Sequence, residues 1–564
     1  ITDFIRVEGK QRLLFDLAEV MLDHPRGIIE EVLYPVIGRA RLEALVEEAQ
    51  QTGTYRQAVQ TRIGSSYSFH YRQMLPPMLK VLEFRSNNTP HQPLIDALKV
   101  VKTYLGDKGR YFYPMEATVP VAGVIPNVLQ SWIYEPNRSG KRQIRRTRYE
   151  LCVLQQLRDR LRRKAIWVVG ADRYRNPDHD TPADFDAKRK AYYQALNLPL
   201  DADDFITRLQ REMTAALTHL NDGLANNPHV SITASGRIRV QKLKKQTESA
   251  NLLYLHNHVK QQWQMISLLD VLKEADLRTD FTQHFHSLSG QSRLHPDVLR
   301  QRLLLGLYGL GTNTGISRVT AGNPAVSESQ LKYIRRRFIS TEGLRAAIVH
   351  LVDATLAVKD PAIWGEAATW SASDSKQFGA WDQNLRAQWH RRYRGAGVMV
   401  YWHVSKQSLC IYSQLKAPSS SEAASMIEGV LRHCTAMQVD RSYVDTHGQS
   451  EVAFAFCHLL GFQLMPRLKN IYEQRLHLPH KENTAKYPEL EPILKSAIDW
   501  DLIRHEYDEM VKYATALRLG TAQTEAILKR FTRGNIQHPT YKAFSELGRA
   551  IKTIFLCRYL HDIE

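Results

Sequence analysis

From residue 367 onward the apolar residues change from helical spacing to alternation, and this change constrains the fold more than any other feature of the sequence. Residues 369–374, 397–404 and 409–415 alternate as half-buried strands do. The four residues Ser405 to Ser408 have the length of a hairpin loop between the second and third of these segments. The sequence therefore predicts three antiparallel strands.

A helix and two further strands are predicted after the hairpin. Ser419-Ser420-Ser421-Glu422 has the pattern of a capping box, and the apolar residues after it fall on one helical face. Residues 442–446 then read as a strand, 450–460 as a helix, and 463–468 as a fifth strand. The order β-β-β-α-β-α-β is the ribonuclease-H-like arrangement, in which the first and fourth strands lie side by side in the centre of the sheet.

Two aspartates, Asp374 and Asp445, end the first and fourth predicted strands and should face one another at one edge of the sheet. Two carboxylates there cannot both stay ionised without a cation, and hard oxygen ligands favour magnesium. Two metal ions would activate the attacking oxygen and stabilise the leaving one in a displacement at phosphorus. Either aspartate alone could instead be an ordinary strand-end cap or turn residue.

The net charge of +18 indicates a polyanionic partner, with nucleic acid as the first candidate and a basic surface kept for solubility as the alternative. Ten of the residues from 141 to 164 are lysine or arginine, and a second basic run, interleaved with aromatic residues, spans 332–338. A solvated helix face would also explain the first run. The candidate DNA contacts in these runs are Lys141, Arg142, Arg145, Arg146, Arg335, Arg336 and Arg337.

Several motifs resemble those of the Tn3 family of replicative bacterial transposases, and the resemblance runs over the whole chain. The motifs are Gly309-Leu310-Gly311-Thr312-Asn313-Thr314-Gly315, Ser373-Asp374-Ser375-Lys376-Gln377-Phe378-Gly379, Asp445-Thr446-His447-Gly448-Gln449-Ser450-Glu451, Leu459-Leu460-Gly461-Phe462 and Pro466-Arg467-Leu468. The resemblance implies an Asp-Asp-Glu catalytic triad, with Asp374 and Asp445 as its aspartates. It also implies magnesium as cofactor, for which manganese can substitute.

For function, the resemblance implies binding of double-stranded DNA at terminal inverted repeats, nicking of the ends, and transfer to target DNA with cointegrate formation. Lys376 and His447, beside the aspartates, are further candidate DNA contacts; His447 could also orient Asp445 or cap its turn. Because two ends must be held together, we expect a homodimer. Two alternatives remain open: a catalytically inactive assembly protein derived from a transposase, and a nuclease on the same fold.

Family members extend further at both ends, so we expect this chain to be an internal fragment and the triad glutamate to lie beyond Glu564. Glu546 is interpreted as helix surface. The absence of a long apolar segment and of paired cysteines indicates a cytoplasmic protein. We expect a multidomain, mainly α protein with regions 1–140 (helical, DNA binding or dimerisation), 141–290 (basic, helical), 291–365 (helical linker), 366–470 (α/β ribonuclease-H-like core, first part) and 471–564 (helical insertion).

Overall fold

The computed structural model of the chain has two compact units, Ile1–Pro177 and Asp178–Glu564. The described residues are 16–562 without 53–62, 69–71, 108–110, 137–138, 242–248, 263–265, 291–293, 323–324, 365–368, 382–383, 385, 391–392, 419 and 532–538. The chain is mainly helical with one mixed sheet. The five regions expected from the sequence stay predictions.

The first unit is helical, with two short strand pairs. Its helices are Ile29–Val32, Tyr34–Ile37, Arg39–Thr52, Arg72–Val81, Gln92–Tyr104, Asn127–Ile133 and Arg146–Arg162. The strand Phe84–Arg85 pairs with Trp167–Val168, and Tyr134–Pro136 pairs with Arg142–Ile144. The helices Gln92–Tyr104 and Arg146–Arg162 contribute buried apolar residues to one core.

The second unit begins with helices that precede the main sheet. They are Arg189–Ala195, Ala202–Leu224, Ala250–Gln262, Leu268–Thr279, Pro296–Gly311, Ile316–Ala321, Glu328–Arg337, Thr341–Val358 and Pro361–Trp364. A small hairpin, Val230–Ile232 with Ile238–Val240, lies between the second and third of them. None of the helices in the described part of the chain combines the length and the apolar character that crossing a membrane requires.

The main sheet and its helices come next in the chain. The core elements are β1 (Trp370–Gly379), β2 (Gly395–Ser405), β3 (Cys410–Lys416), α1 (Glu422–Arg432), β4 (Arg441–Val444), α2 (Glu451–Leu459) and β5 (Gln463–Pro466). A short additional strand, Gln388–His390, pairs with β2. The spatial order is β3-β2-β1-β4-β5. The first three strands are antiparallel, and β4 runs parallel to both β1 and β5.

One boundary differs from the expectation in a way that affects the site. The sequence predicted that the first strand would end at Asp374, but β1 continues to Gly379 because residues 375–379 stay paired with β2. Only the pairing of β1 with β4 stops at this level, where Ser373 pairs with Val444. Asp374 therefore lies within β1, at the level where the neighbouring strand β4 ends.

Helices α1 and α2 are fixed by their caps and by close packing on one face of the sheet. The Ser421 and Ser450 side chains accept hydrogen bonds from the backbone N–H groups of Ala424 and Ala453. Gly429 of α1 approaches β2 so closely that an added Cβ would lie 1.8 Å from His403 Nε2. This contact places α1 against the sheet face that carries His403.

Residues after β5 pack into the same core as the sheet. They form the strands Leu476–Leu478 and Leu494–Ala497 and the helices Trp500–His505, Tyr507–Leu519, Thr524–Arg530 and Pro539–His561, the last of which we call α3. The apolar stripe of the helix Ala202–Leu224 joins this core as well. All five cysteines are free, in agreement with the absence of paired spacings in the sequence.

Candidate active site at the edge of the sheet

The two predicted catalytic aspartates lie where β1 and β4 run side by side. Ser373 and Val444 form the last pair of the parallel register, and Asp374 and Asp445 are the next residue of each segment. Neighbouring strands are about 4.8 Å apart. The structure thus brings the two aspartates to the same edge of the sheet, on adjacent segments of backbone.

The surroundings of the two aspartates differ. Asp374 is exposed, and its Oδ1 accepts a hydrogen bond of 2.6 Å from the backbone N–H of Ser375. Asp445 is half-buried and opens a short 3-10 turn, Thr446–Gly448, with its carbonyl accepting from the Gly448 N–H at 3.3 Å. Asp374 therefore faces solvent from a continuous strand, whereas Asp445 directly precedes a turn.

A third carboxylate, Glu422, lies beside this edge. Ser375 Oγ donates a hydrogen bond of 2.8 Å to Glu422 Oε1, and Lys416 Nζ lies 3.4 Å from the same oxygen. Glu422 is therefore connected to the residue that directly follows Asp374. The contact also joins the start of α1 to β1 and to the end of β3.

The capping-box pattern of the sequence predicted a different role for Glu422. In a capping box the glutamate occupies the third helical position, but the structure makes Ser421 the N-cap, so Glu422 is the first residue of α1. Its side chain points to Lys416 and Ser375 instead. The sequence contains one indication of this contact, because Lys416 ends a strand six residues before Glu422. The contact itself depends on how the chain folds between the two residues.

Lys416 is the buried cation of this region. It is 8% exposed, and its Nζ lies 5.5 Å from the centre of the Tyr401 ring. Burial lowers the pKa of Lys416, whereas the charges of Glu422 and Asp445 act to raise it. Burial also raises the pKa of the Tyr401 hydroxyl, and the carboxylates of Glu422, Asp445 and Asp374 add to that increase. The Lys416 ammonium group and the Tyr401 hydroxyl are thus both influenced by the charges of Glu422 and Asp445.

The donor set suits a hard divalent cation. Asp374 and Asp445 offer carboxylate oxygens, which are the ligands that magnesium and manganese prefer. Within the part of the chain that the structure describes, no group of three or more His, Cys, Asp or Glu side chains is arranged to hold a metal ion. The fit therefore rests on the pair of aspartates.

The comparisons with known proteins agree with this geometry. The family model of the Tn3 transposase DDE domain matches residues 270–564, just over half of the chain. The chain belongs to the Tn3 transposase family. DDE domains of this kind depend on a divalent metal ion, which accords with the two aspartates at the edge of the sheet.

Relatives of the Tn3 family match over most of the chain. The chain is 29% identical to the transposase for transposon Tn2501 of Escherichia coli, over 87% of the chain and 48% of that protein. It is 26% identical to the transposase for transposon Tn1546 of Enterococcus faecium, over 94% of the chain and 52% of the relative. For the transposase of transposon gamma-delta of Escherichia coli strain K12 the values are 27%, 74% and 42%. The chain spans about half the length of these relatives.

The structure also locates the other residues that the sequence proposed for DNA binding by this Tn3-family chain. Lys376 is exposed on β1, two residues after Asp374 and on the same face of the strand. Arg335 to Arg337 are exposed in the last turn of the helix Glu328–Arg337. The backbone of His447 belongs to the turn after Asp445, and its side chain lies outside the described part of the structure.

The basic run of the first unit requires one correction. Lys141 and Arg142 are exposed, and Arg145 forms an ion pair of 2.5 Å with Glu135. Arg146 was expected to contact DNA, but it is fully buried beside Glu150, and its guanidinium donates to backbone carbonyls. The expectation was wrong for Arg146 because the first turn of its helix faces the core.

Glu546 has a structural role that accounts for its charge. Its carboxylate accepts a hydrogen bond of 3.2 Å from the Asp499 N–H and pairs with Arg549. These contacts join α3 to the start of the helix Trp500–His505. The side chain therefore ties two helices together and is only 15% exposed, whereas the sequence placed it on the helix surface. Its exclusion from the catalytic set stays a prediction.

Proposed function

We propose that this chain is the central and catalytic part of a DNA transposase. It binds the terminal inverted repeats of a transposon, nicks the DNA ends by metal-dependent hydrolysis of a phosphodiester, and transfers the 3′ ends to target DNA in replicative transposition through a cointegrate. The observation that carries the proposal is the placement of Asp374 and Asp445 one step beyond the last paired residues of β1 and β4.

The strand order supports a ribonuclease-H-like core for this reaction. The order β3-β2-β1-β4-β5, with β4 and β5 parallel to β1, places the two aspartate-bearing strands in the centre of the sheet. Ligands of sheets with parallel strands bind beyond the carboxyl ends of those strands. Asp445 follows the carboxyl end of β4, and Asp374 lies beside it within β1, so DNA has to approach this part of the sheet.

Magnesium, or manganese in its place, would be held by Asp374 and Asp445. When bound, the ion polarises a phosphoryl oxygen and makes an attacking water or 3′ hydroxyl a better nucleophile. The chain itself orients the carboxylates: the Ser375 N–H fixes Asp374, and the turn after β4 fixes Asp445. Lys376 lies about 7 Å further along the same face of β1 and attracts the phosphate backbone toward the aspartates.

Two transposon ends have to be cut and joined together, and one site of this kind serves one end at a time. We therefore propose that the active assembly is a homodimer on two DNA ends. Arg335 to Arg337, exposed at a helix end, and Lys141 and Arg142 of the first unit would hold the duplex by its phosphates.

The test combines metal binding with DNA binding. Free Mn²⁺ gives an electron paramagnetic resonance signal that falls when the ion binds, so a titration of residues 1–564 gives its affinity. We expect Asp374→Asn and Asp445→Asn to weaken binding, while Asp440→Asn, an exposed aspartate just before β4 at the opposite edge, leaves it unchanged. The aspartate variants should bind terminal-repeat duplex as well as wild type or slightly better, because a negative charge near phosphate is removed.

Cleavage is measured on the same preparations by the appearance of new 3′ ends. Because the pair Asp374 and Asp445 supplies few ligands for two ions, we expect residues 1–564 to bind DNA and cut it little. Equal Mn²⁺ affinity in wild type and both aspartate variants would instead favour an inactive assembly protein. Metal-dependent cutting of DNA or RNA–DNA hybrids without a terminal repeat would favour a nuclease.

A further inference from the structure

A buried ion pair stands directly behind the candidate active site. Only 4% of the Lys416 side chain and 18% of the Glu422 side chain are exposed, and Nζ and Oε1 are 3.4 Å apart. Removing two charges from water costs free energy that their attraction often fails to recover. A neutral pair of similar shape would suit the fold at least as well, so the charges call for another explanation.

The pair is connected to both aspartates. Glu422 accepts a hydrogen bond from Ser375 Oγ, and the backbone N–H of the same serine donates to Asp374. On the other side, Asp445 is close enough to Lys416 for the two charges to interact. Lys416 therefore has three anions within electrostatic reach, Glu422, Asp445 and Glu525, and its ion pair is with Glu422. Glu525 forms an ion pair with Lys529.

We propose that Glu422 holds the Lys416 ammonium group away from Asp445, and that this pairing sets the affinity of the site for a divalent cation. Lys416 and Glu422 are then positioning residues and do not bind the metal ion. The Lys416 ammonium group and the metal ion compete for the Asp445 carboxylate. The ion pair with Glu422 holds the ammonium group and so favours binding of the metal ion. The inference rests on the proposed function, because it assumes that Asp445 is a metal ligand.

Variants of Glu422 and of Lys416 have different expected effects on metal affinity. In Glu422→Gln the ammonium group loses its partner. Of the two anions that remain, Glu525 is already paired with Lys529, so the ammonium group turns to Asp445 and competes with the cation. A neighbouring positive charge at intermediate dielectric is worth one or more kcal/mol, so we expect Mn²⁺ affinity to fall about tenfold. In Lys416→Met the competitor is gone, and affinity should equal or exceed that of wild type.

The decisive variant is the double one, Lys416→Met with Glu422→Gln. It replaces the pair by neutral side chains of similar size, a change that proteins with buried ion pairs often tolerate. Because no ammonium group is left to compete, Mn²⁺ affinity should return to the wild-type value or above it. If Glu422 were itself a metal ligand, the double variant would bind as weakly as Glu422→Gln.

The experiment is an Mn²⁺ titration of residues 1–564 followed by electron paramagnetic resonance, with thermal melting as the check on folding. Lys416→Arg keeps the positive charge and should keep wild-type affinity. Glu428→Gln is the matched control, because this glutamate lies on the same helix and contacts Arg432 and Thr524 instead of Lys416.

Unchanged affinity in Glu422→Gln, or no recovery in the double variant, would overturn the inference while leaving the proposed function intact. Equal affinity in wild type and Asp445→Asn would remove the metal site itself, and both proposals with it. The three results are distinguishable within one set of titrations.

Discussion

Arg146 in the first unit gives the sharpest stability prediction. The side chain is fully buried, its guanidinium pairs with the buried Glu150 at 3.5 Å, and it donates to the carbonyl oxygen of Asp107 at 2.7 Å and to that of Tyr104. Replacement by methionine removes the charge and keeps much of the volume. The buried carboxylate then loses one of its cations, and two carbonyl groups lose their donor.

The size of the effect follows from what remains around Glu150. Removing one partner of a buried ion pair costs about 3–5 kcal/mol. Arg72 stays at 3.2 Å and the Tyr67 hydroxyl still donates at 3.0 Å, so we expect the lower end, about 3 kcal/mol. For a unit of this size such a loss lowers the melting temperature by about 6–12 °C.

The assay is differential scanning calorimetry of Arg146→Met beside Arg142→Met, combined with DNA binding at several salt concentrations. Arg142 is exposed, so its replacement should change stability by less than about 0.5 kcal/mol and weaken DNA binding. Arg146→Met should melt earlier and, while folded, bind DNA with an unchanged salt dependence. An unchanged melting temperature together with a shallower salt dependence would refute the assignment of Arg146 to the core.

Three further predictions concern the second unit. Gly429→Ala should destabilise the second unit by about 1–3 kcal/mol in urea unfolding, because the new methyl group would meet the His403 ring. Gly311→Ala is the control, because its methyl group would meet nothing within 4 Å and should leave stability unchanged. Equal urea midpoints for the two variants would contradict this prediction. Burial lowers the pKa of His403 and of His458 to about 4. The unfolded chain therefore binds more protons below about pH 6.5, so stability should fall from there toward pH 4. A flat profile of urea midpoints would argue against neutral imidazoles at His403 and His458. Replacing Arg335–Arg337 by glutamine should reduce the slope of log affinity for duplex DNA against log salt by about 2–3, and an unchanged slope would exclude phosphate contacts there.

The elements of the catalytic core could be predicted because each carries a local signal. Alternation marks β1 to β3, and Gly461, in a left-handed conformation with φ +88°, ends the helix before β5. The side-by-side placement of Asp374 and Asp445 follows from strand order, because β1 and β4 are parallel neighbours, although β1 continues past Asp374. Local signals of this kind need no knowledge of distant contacts.

The side-chain contacts of Arg146 and Glu422 could not be predicted from the sequence. A basic run indicates charge but not direction, and the first turn of the helix Arg146–Arg162 presents Arg146, Tyr149 and Glu150 to the core. The position of Glu422 depends on where α1 starts after β3, and the helix starts two residues later than the capping-box pattern implies. Both are properties of side-chain direction, and spacing along the chain does not determine them.

The packing of α3 links residues after the sheet to the candidate site. An added Cβ at Gly548 of α3 would lie 2.0 Å from the carbonyl oxygen of Glu451, the first residue of α2, and the rings of Phe544 and Phe456 stack with their centres 4.3 Å apart. Helix α2 follows the turn after Asp445, so α3 approaches closely the backbone of the helix that comes directly after a candidate catalytic residue. Residues 539–561 therefore act as part of the scaffold that positions Asp445, and a bulky side chain at Gly548 should disturb the site more than its distance along the chain suggests, because the atom it meets is backbone and cannot rotate away.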